Sequence, residues 1–509
     1  MSESELKFTV DPARAHDIEL ALRRLPSTRA PIESRYFDTR EGLLASAGLS
    51  LRLRRTGHGW KQTLKSPGRH AAERGEESMA RPGRWGSDGP PLDLSLHRGT
   101  EGGELLRSIL KHTSAASPSL DLRSTSRIVR RSAMLEGFGA RVEVAFDKGE
   151  IVAGERSVAV CELEYELKAG DARALVAFGR AAIDDHAAWL STLSKAARGA
   201  RLANHDAASP TATRSRPPRL TPSMSALQVL QAVLRSCFDQ VADNASEIAA
   251  GQPDGEAVHQ LRVGLRRLRT ASRELHGLAA GLDRGFEVAV ARVFRQLGDV
   301  RDRSVVAGAM ESALRAAGSP DPLLPPPSSD PVDPVATVRA SDFQQALMDV
   351  LDFVLIPDPA PEDARAAFIA PTFAPDAADP PRVLRLLSVR LDALHRKLMR
   401  DAKKFETLSP EAQHKTRNRL KRLRYLAELM ASLYDTPSVR RYLARLMPAQ
   451  EALGARIDLF VALRMARDVT LGGAAKGWFN VGWLTAQLPA SAARCRKRLR
   501  RAAAAKPFW

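Results

Sequence analysis

CELEYELK, residues 161–168, alternates charge and apolarity: Glu162, Glu164, Glu166 and Lys168 fall on one side, and Leu163, Tyr165 and Leu167 on the other. A period of two is that of a β-strand, whose successive side chains face opposite sides of a sheet. The same alternation opens the chain. In SESELKFTV, Glu3, Glu5 and Lys7 share one face while Leu6, Phe8 and Val10 share the other. LSLRLR at 49–54 repeats the pattern with cations, setting Arg52 and Arg54 against Leu49, Leu51 and Leu53.

Taken singly, each such strand reads as half-buried with its charges in water. Taken together they suggest more. Carboxylates at alternate positions repel one another unless a cation neutralises them, and arginines do so unless an anion does. A closed barrel that brings both kinds of strand to its interior resolves both repulsions. Oxygen donors without a Cys or His cluster point to Mg²⁺ or Mn²⁺ as the cation.

Outward from these strands, the chain from Leu6 to about Lys168 consists of short alternating segments separated by Gly, Pro and Ser. Helical periods occur near Asp11–Leu25 and Asp171–Leu193. Residues 203–222, rich in Ser, Thr, Pro and Arg, read as a linker. From Met224 onward the apolar residues recur with a helical period, so an all-α domain is expected over 223–509. A Pro-rich, acidic stretch at about 318–381 interrupts it and reads as an insertion, in part disordered.

The ordered series of motifs in the first part resembles the CYTH, or triphosphate tunnel metalloenzyme, family. ESELK at 3–7 supplies its opening Glu-x-Glu-x-Lys, followed in order by YFDT (36–39), LSLRLR, QTLK (62–65), Arg74 with Glu76, FDKGEI, CELEYELK and SKAARGARL. The resemblance spans about residues 1–202 and implies an antiparallel eight-stranded β-barrel with a polar tunnel. It further implies hydrolysis of triphosphate compounds with a divalent metal. Glu3, Glu5, Glu162 and Glu164 would hold the metal, helped by Glu143 and Asp147. Lys7, Arg52, Arg54, Lys65, Arg74 and Arg127 would cradle the triphosphate, with Lys7, Glu76 and Arg127 acting in catalysis.

The helical part contains a repeat. GEAVHQLRVGLRRLR at 255–269 matches PEAQHKTRNRLKRLR at 410–424 in 8 of 15 positions, and Leu297, Gly298 and Asp302 recur downstream as Leu453, Gly454 and Asp458. Two markers in the same order indicate a duplicated helical bundle. Steps of three and four residues hold His259, Arg262, Arg266 and Arg269 within about 80° on one helix face. His414, Arg417, Lys421 and Arg424 reproduce that face. A single basic stripe usually marks a solvated helix surface, but its duplication favours a paired oxyanion clamp. A histidine set among arginines stays neutral near pH 7. These motifs resemble the CHAD (conserved histidine α-helical) domain, which implies that the eight residues bind inorganic polyphosphate.

Charge and composition agree with a polyanionic partner. The 509 residues carry 77 Lys and Arg against 59 Asp and Glu, a net +18. The basic excess lies outside the insertion, where residues 321–381 hold 2 basic and 11 acidic side chains. Aromatics are 5%, which disfavours single-strand stacking, so nucleic acid is not the expected partner. Cys161, Cys237 and Cys495 are widely spaced, so neither a disulfide framework nor a structural zinc is expected. Without an apolar run of about 18 residues or a secretory pattern, a cytoplasmic protein is expected, with polyphosphate granules as a candidate location. The expectation is therefore a multidomain α+β triphosphatase tethered to polyphosphate; the alternative is a non-catalytic protein that attaches to such granules. The length itself allows about three compact units of roughly 150 residues.

Overall fold

A computed structural model describes residues 2–57, 59–67, 73–83, 89–111, 119–203, 212–251, 255–279, 281–322, 324, 332–357, 380–471 and 477–509. They form two compact units rather than three. The first comprises Met1–Thr213, Val241–Gln260 and Pro334–Ile356; the second comprises Arg214–Gln240, Leu261–Asp333 and Pro357–Trp509.

In the first unit nine strands make one antiparallel sheet: β1 (Ser2–Thr9), β2 (Ser27–Asp38), β3 (Ser50–Thr56), β4 (Gly59–Pro67), β5 (Glu73–Arg81), β6 (Asp121–Gly137), β7 (Ala140–Ala153), β8 (Arg156–Ala169) and β9 (Trp189–Leu190). Their order is β5-β4-β3-β2-β6-β7-β8-β1-β9, with β5 also pairing to β1. The expected eight-stranded barrel is thus corrected to a nine-stranded antiparallel sheet. One edge of β1 pairs with β8 along Glu5–Thr9. Its remaining pairings are divided: Ser2–Ser4 meet β5, whereas Phe8 and Thr9 meet the two-residue β9. The longest strand, β6, turns into β7 through Phe138 and Gly139 at φ 53° and 71°, the positive pair that a tight hairpin requires.

In β1 and at the Glu162–Lys168 end of β8, the alternation puts the apolar half on the outer face of the sheet and the charged half on the inner face. Leu6, Phe8, Leu163 and Tyr165 are buried on the outer face under α4 (Arg173–His186), where Tyr165 stacks on Phe178. Gly179 of α4 sits where a Cβ would come within 2.6 Å of the Phe8 ring, so this close approach needs glycine. Helices α1 (Ala15–Arg23), α2 (Leu43–Ser46) and α3 (Glu101–Lys111) lie in the strand connections, and Leu44 and Leu106 close over Leu51 and Leu64. Charge is consequently turned away from water: Asp147 and Glu162 are fully buried on the opposite face. The half-buried strand with a solvated charged face does not describe β7 or β8.

Part of the stretch read as an insertion is folded. Pro334–Arg339 (α9) and Ser341–Val354 (α10) are helices, and Phe343, Leu347, Met348 and Val350 are buried. Each such side chain contributes about 1.5–3 kcal/mol. Asp352 and Asp349 of α10 pair with Arg173 and Arg180 of α4, both at 2.8 Å. Residues 358–379 lie outside the described residues.

Between these segments the chain is helical: α5 (Lys195–Ala203), α6 (Ala226–Ala249), α7 (Gly255–Leu275) and α8 (Phe286–Ala316). The second unit continues with α11 (Pro380–Lys403), α12 (Pro410–Leu429), α13 (Thr436–Leu471), α14 (Trp478–Ala486) and α15 (Leu488–Ala503). Both copies of the repeat begin a helix, α7 and α12, and each is followed by a long helix, α8 and α13, that carries the Leu-Gly pair. Ser409 caps α12 by accepting from the Ala412 N–H, with Pro410 next to it in the first turn. The side chain of Asp302, the third marker of the first copy, is outside the described residues.

Candidate active site

Antiparallel register assembles the charged face. Asp147 of β7 lies opposite Glu162 of β8, and two residues along each strand Ala145 lies opposite Glu164. The small Ala145 leaves room beside Glu164. Oxygens of Asp147, Glu162 and Glu164 come within 4.8 Å of one another, a carboxylate-only donor set that fits a hard divalent cation. From β6, directly opposite Asp147, Arg130 grips that carboxylate with two bonds of 2.7 Å and also reaches Glu164.

Two further cations arrive on α5. The Lys195 ammonium stands 2.8 Å from Asp147, 2.7 Å from Glu162 and 2.8 Å from Glu164. Arg198, one helical turn on, donates to Glu162 at 2.6 Å. Lys7, opposite Glu164 on β1, donates to the Leu193 carbonyl just before α5. Burial alone would raise the Glu162 carboxyl, but Lys195, Lys7 and Arg198 overcome it and hold the group at about 2. Glu164 is likewise held well below the carboxylate range, since Lys195 and Arg130 outweigh its burial. Conversely, burial works against the Lys195 ammonium, yet the three carboxylates raise it well above its ordinary value.

The neighbouring strands are cationic. Arg54 of β3 donates to the Ser34 hydroxyl at 3.2 Å, and burial together with the nearby Arg52 lowers its guanidinium to about 10. That depression marks a cation short of negative charge. Arg52 is 3.4 Å from Glu76, which also binds Lys65 at 2.5 Å, while the Arg52 Nε is buried without a hydrogen-bond partner. Tyr36 lies opposite Arg52; burial raises its phenol, but Arg52, Arg54 and Lys195 overcome this and lower it. The buried Ser124 hydroxyl on β6 has no partner either. The orphaned Arg52 donor within a guanidinium pair is of the kind that suits an oxyanion.

The structure therefore brings together Asp147, Glu162, Glu164 and Lys7, and groups Arg52, Arg54, Lys65 and Glu76. It separates others. Glu143 pairs with Lys168, which also binds Glu166, and Glu5 lies opposite Glu166, so these acids form a second group further along the strands. Arg127 is exposed on the face opposite to Arg130, an odd number of residues away; Arg130 takes the inward place expected of it. The side chains of Glu3 and Arg74 fall outside the described residues. Arg130, Lys195 and Arg198 were not singled out from the sequence, although the last two lie in SKAARGARL.

In the second unit the guanidiniums of Arg262, Arg266 and Arg269 surround the Phe294 ring at 5.3, 5.0 and 5.9 Å from its centre. Arg424 is engaged by Glu428 at 2.8 Å and Gln450 at 3.0 Å. Burial, then Arg417 and Lys421, push the His414 imidazole below its usual value, which favours the neutral form at pH 7. His259 is exposed in the first unit.

Comparison with known proteins divides the chain between residues 200 and 232, so that Val241–Gln260 and Pro334–Ile356 of the first unit fall in the second matched stretch. Residues 1–200 match the family model of the CYTH domain, and residues 232–467 match that of the CHAD domain. A curated relative, the inorganic triphosphatase of Haemophilus influenzae, is 27% identical over 203 residues, which are 39% of this chain and 54% of that protein. The chain thus spans about half the length of the curated relative it matches. Among solved structures, the CHAD domain of the plant Ricinus communis is 22% identical, covering 56% of this chain and 96% of its own at a TM-score of 0.42. A Hippeastrum protein named for adenylyl cyclase, with a dominant triphosphatase activity, is 16% identical and covers 38% of this chain and 91% of its own at a TM-score of 0.26.

Proposed function

We propose that this chain, a CYTH domain followed by a CHAD domain, hydrolyses inorganic triphosphate to pyrophosphate and phosphate and binds inorganic polyphosphate through its helices. The observation that carries the first part is the pairing of a carboxylate trio, two of its members fully buried, with an under-neutralised arginine pair on one inward face. A site for the polyanion alone would need only the arginines. The relative's activity supports the same substrate, and the meeting of β8 and β5 on β1 supports a tunnel around it.

In this reading Arg52, Arg54 and Lys65 bind the non-bridging oxygens of the triphosphate, and Arg130 and Lys7 reach it from the carboxylate side. Asp147, Glu162 and Glu164 would hold Mg²⁺ or Mn²⁺, with Glu5, Glu143 and Glu166 available to a further ion. Such an ion, when bound, supplies charge neutralisation for the phosphates and the water. The arginines fix the chain in line and stabilise the charge that develops as the anhydride bond breaks. Lys7, beside Glu164, would donate a hydrogen bond to the attacked phosphoryl oxygen. The basic helices, with few aromatics, suit a long flexible polyanion that is gripped at many points without base readout. Among the described residues no helix is long and apolar enough to cross a membrane; attachment to polyphosphate granules would follow from the helical contacts.

The alternative of a non-catalytic binding protein draws on one observation, the Lys195 ammonium that already neutralises the carboxylates. Phosphate release from tripolyphosphate by the full chain, with Mg²⁺ or Mn²⁺, separates the two. Activity lost by about 100-fold in Glu162→Gln and in Arg54→Ala supports hydrolysis; no release with either metal leaves the binding reading.

A further inference from the structure

Helix α5 delivers Lys195 and Arg198, so what holds α5 decides the charge state of the carboxylate cluster. The chain leading into it is clamped. At β9 the Leu190 N–H donates to the Gln344 side chain of α10 at 2.8 Å, and Arg339 of α9 lies over the Trp189 ring at 4.0 Å. Next, the Ser191 N–H donates to the Lys7 carbonyl at 2.8 Å, and the Thr192 N–H to the Ser246 hydroxyl at 3.0 Å. Ser246 and its neighbour Glu247 belong to the last turns of α6 and are buried, at 3% and 5% exposure. Glu247 then forms a two-bond ion pair with Arg201 of α5.

The spacing gives these contacts their meaning. Lys195, Arg198 and Arg201 follow at intervals of three, so each is turned about 60° from the last and Arg201 lies about 120° round from Lys195 and about 9 Å along the axis. Anchoring by the carboxylates alone would leave α5 free to roll about its axis. The second anchor, off to one side, removes that freedom. Arg339 also donates to the Ala249 carbonyl at the end of α6, fixing the helix that carries Glu247.

We propose that Glu247, with Ser246, is a positioning residue of the candidate site: through Arg201 and Thr192 it locks α5 so that Lys195 and Arg198 stay on Asp147, Glu162 and Glu164. These two residues lie within 232–467, the stretch that matches the CHAD domain, yet they serve the strand-built face. Loosening the lock withdraws the tethered ammonium from the carboxylates and leaves them to a divalent cation, while weakening the hold on an anion. What α5 serves rests on the triphosphatase reading; that it is held by Glu247 does not.

The test uses the full chain with Glu247→Gln, Glu247→Asp and Ser246→Ala. Amide hydrogen exchange is followed in 195–203 against 140–153, and Mn²⁺ affinity is read directly by electron paramagnetic resonance. In Glu247→Gln, exchange in α5 should quicken by about tenfold or more, the Mn²⁺ dissociation constant should fall severalfold, and KM for tripolyphosphate should rise more than kcat falls. Glu247→Asp, which keeps the charge, should recover part of each effect. Unchanged exchange in α5, or equal quickening in β7, would overturn the proposal, as would an unchanged Mn²⁺ constant. A wild-type chain that releases no phosphate refutes the catalytic reading alone, because exchange and Mn²⁺ binding are read without turnover.

Discussion

The ammonium of Lys195 stands 2.7 Å from the carboxylate of Glu162, both groups shut away from water, although 33 residues and a helix separate them in sequence. A protein cation thereby occupies the point that three carboxylates define. Buried charge survives only when compensated, so the contact makes the cluster tolerable without any ion.

Removing that cation while keeping its length exposes the dependence. Lys195→Met should cost about 3–5 kcal/mol of stability in metal-free buffer, the range for breaking a buried pair from one side. Mn²⁺ or Mg²⁺ should recover part of the loss in the variant and do less for the wild type. Thermal unfolding with and without each ion checks this; equal metal stabilisation of both chains would count against it.

The acid limb follows from the same cluster. Glu162, held at about 2 in the folded chain, and Glu164, also held low, have depressed values. Their contribution is therefore present above the unfolded carboxylate value near 4.3 and is lost as pH falls through the folded value. For Glu162 it is on the order of 3 kcal/mol. Denaturant unfolding of the strand-built unit should show stability flat from pH 7 to about 5 and falling between about 4.5 and 2, with the Glu162→Gln chain losing less over that interval.

Local periodicity explains what was legible in the sequence. Glu162, Glu164 and Glu166 of CELEYELK share one face by parity alone, which needs no knowledge of neighbouring strands, whereas Asp147 joins them through the β7–β8 register. Arg127 and Arg130 differ by three residues and so face opposite ways, and only the β6–β7 register, a long-range fact, shows that Arg130 meets Asp147. Lys195 and Arg198 lie on a helix brought over the sheet from outside it, against Ser124, where Gly199 leaves space for the approach. The helix at 341–354 was obscured by its Pro-rich flanks, although Phe343, Leu347, Val350 and Val354 carry a helical period and are buried.

Arg54 predicts a conflict between stability and function. Its guanidinium is buried beside Arg52 and depressed to about 10, so an apolar replacement of similar length relieves repulsion. Arg54→Met should unfold at the same or a higher temperature than the wild type while losing triphosphate turnover by about 100-fold. Tripolyphosphate should raise the melting temperature of the wild type in proportion to its logarithmic concentration and leave the variant nearly unmoved. Calorimetry over a tripolyphosphate series checks both halves.

The helical face makes a prediction independent of the first unit. Arg269 is exposed, and its guanidinium is lowered by burial against its neighbours and by Arg273, Arg295 and Arg266, with Glu287 as the counter-charge. Several cations share too few anions, and a polyphosphate chain would supply them. Arg269→Ala should weaken binding of long polyphosphate, and the plot of log affinity against log salt should become shallower by about 0.7–0.9, the slope of one phosphate contact. Because burial and the nearby Arg417 and Lys421 hold His414 below its ordinary value, any gain in affinity on acidification should set in at a lower pH than an ordinary imidazole would give. Tripolyphosphate turnover should be unchanged, since Arg269 belongs to the second unit. Fluorescence titration at several salt concentrations measures the slope, and an unaltered slope in Arg269→Ala would remove this helix from the binding surface.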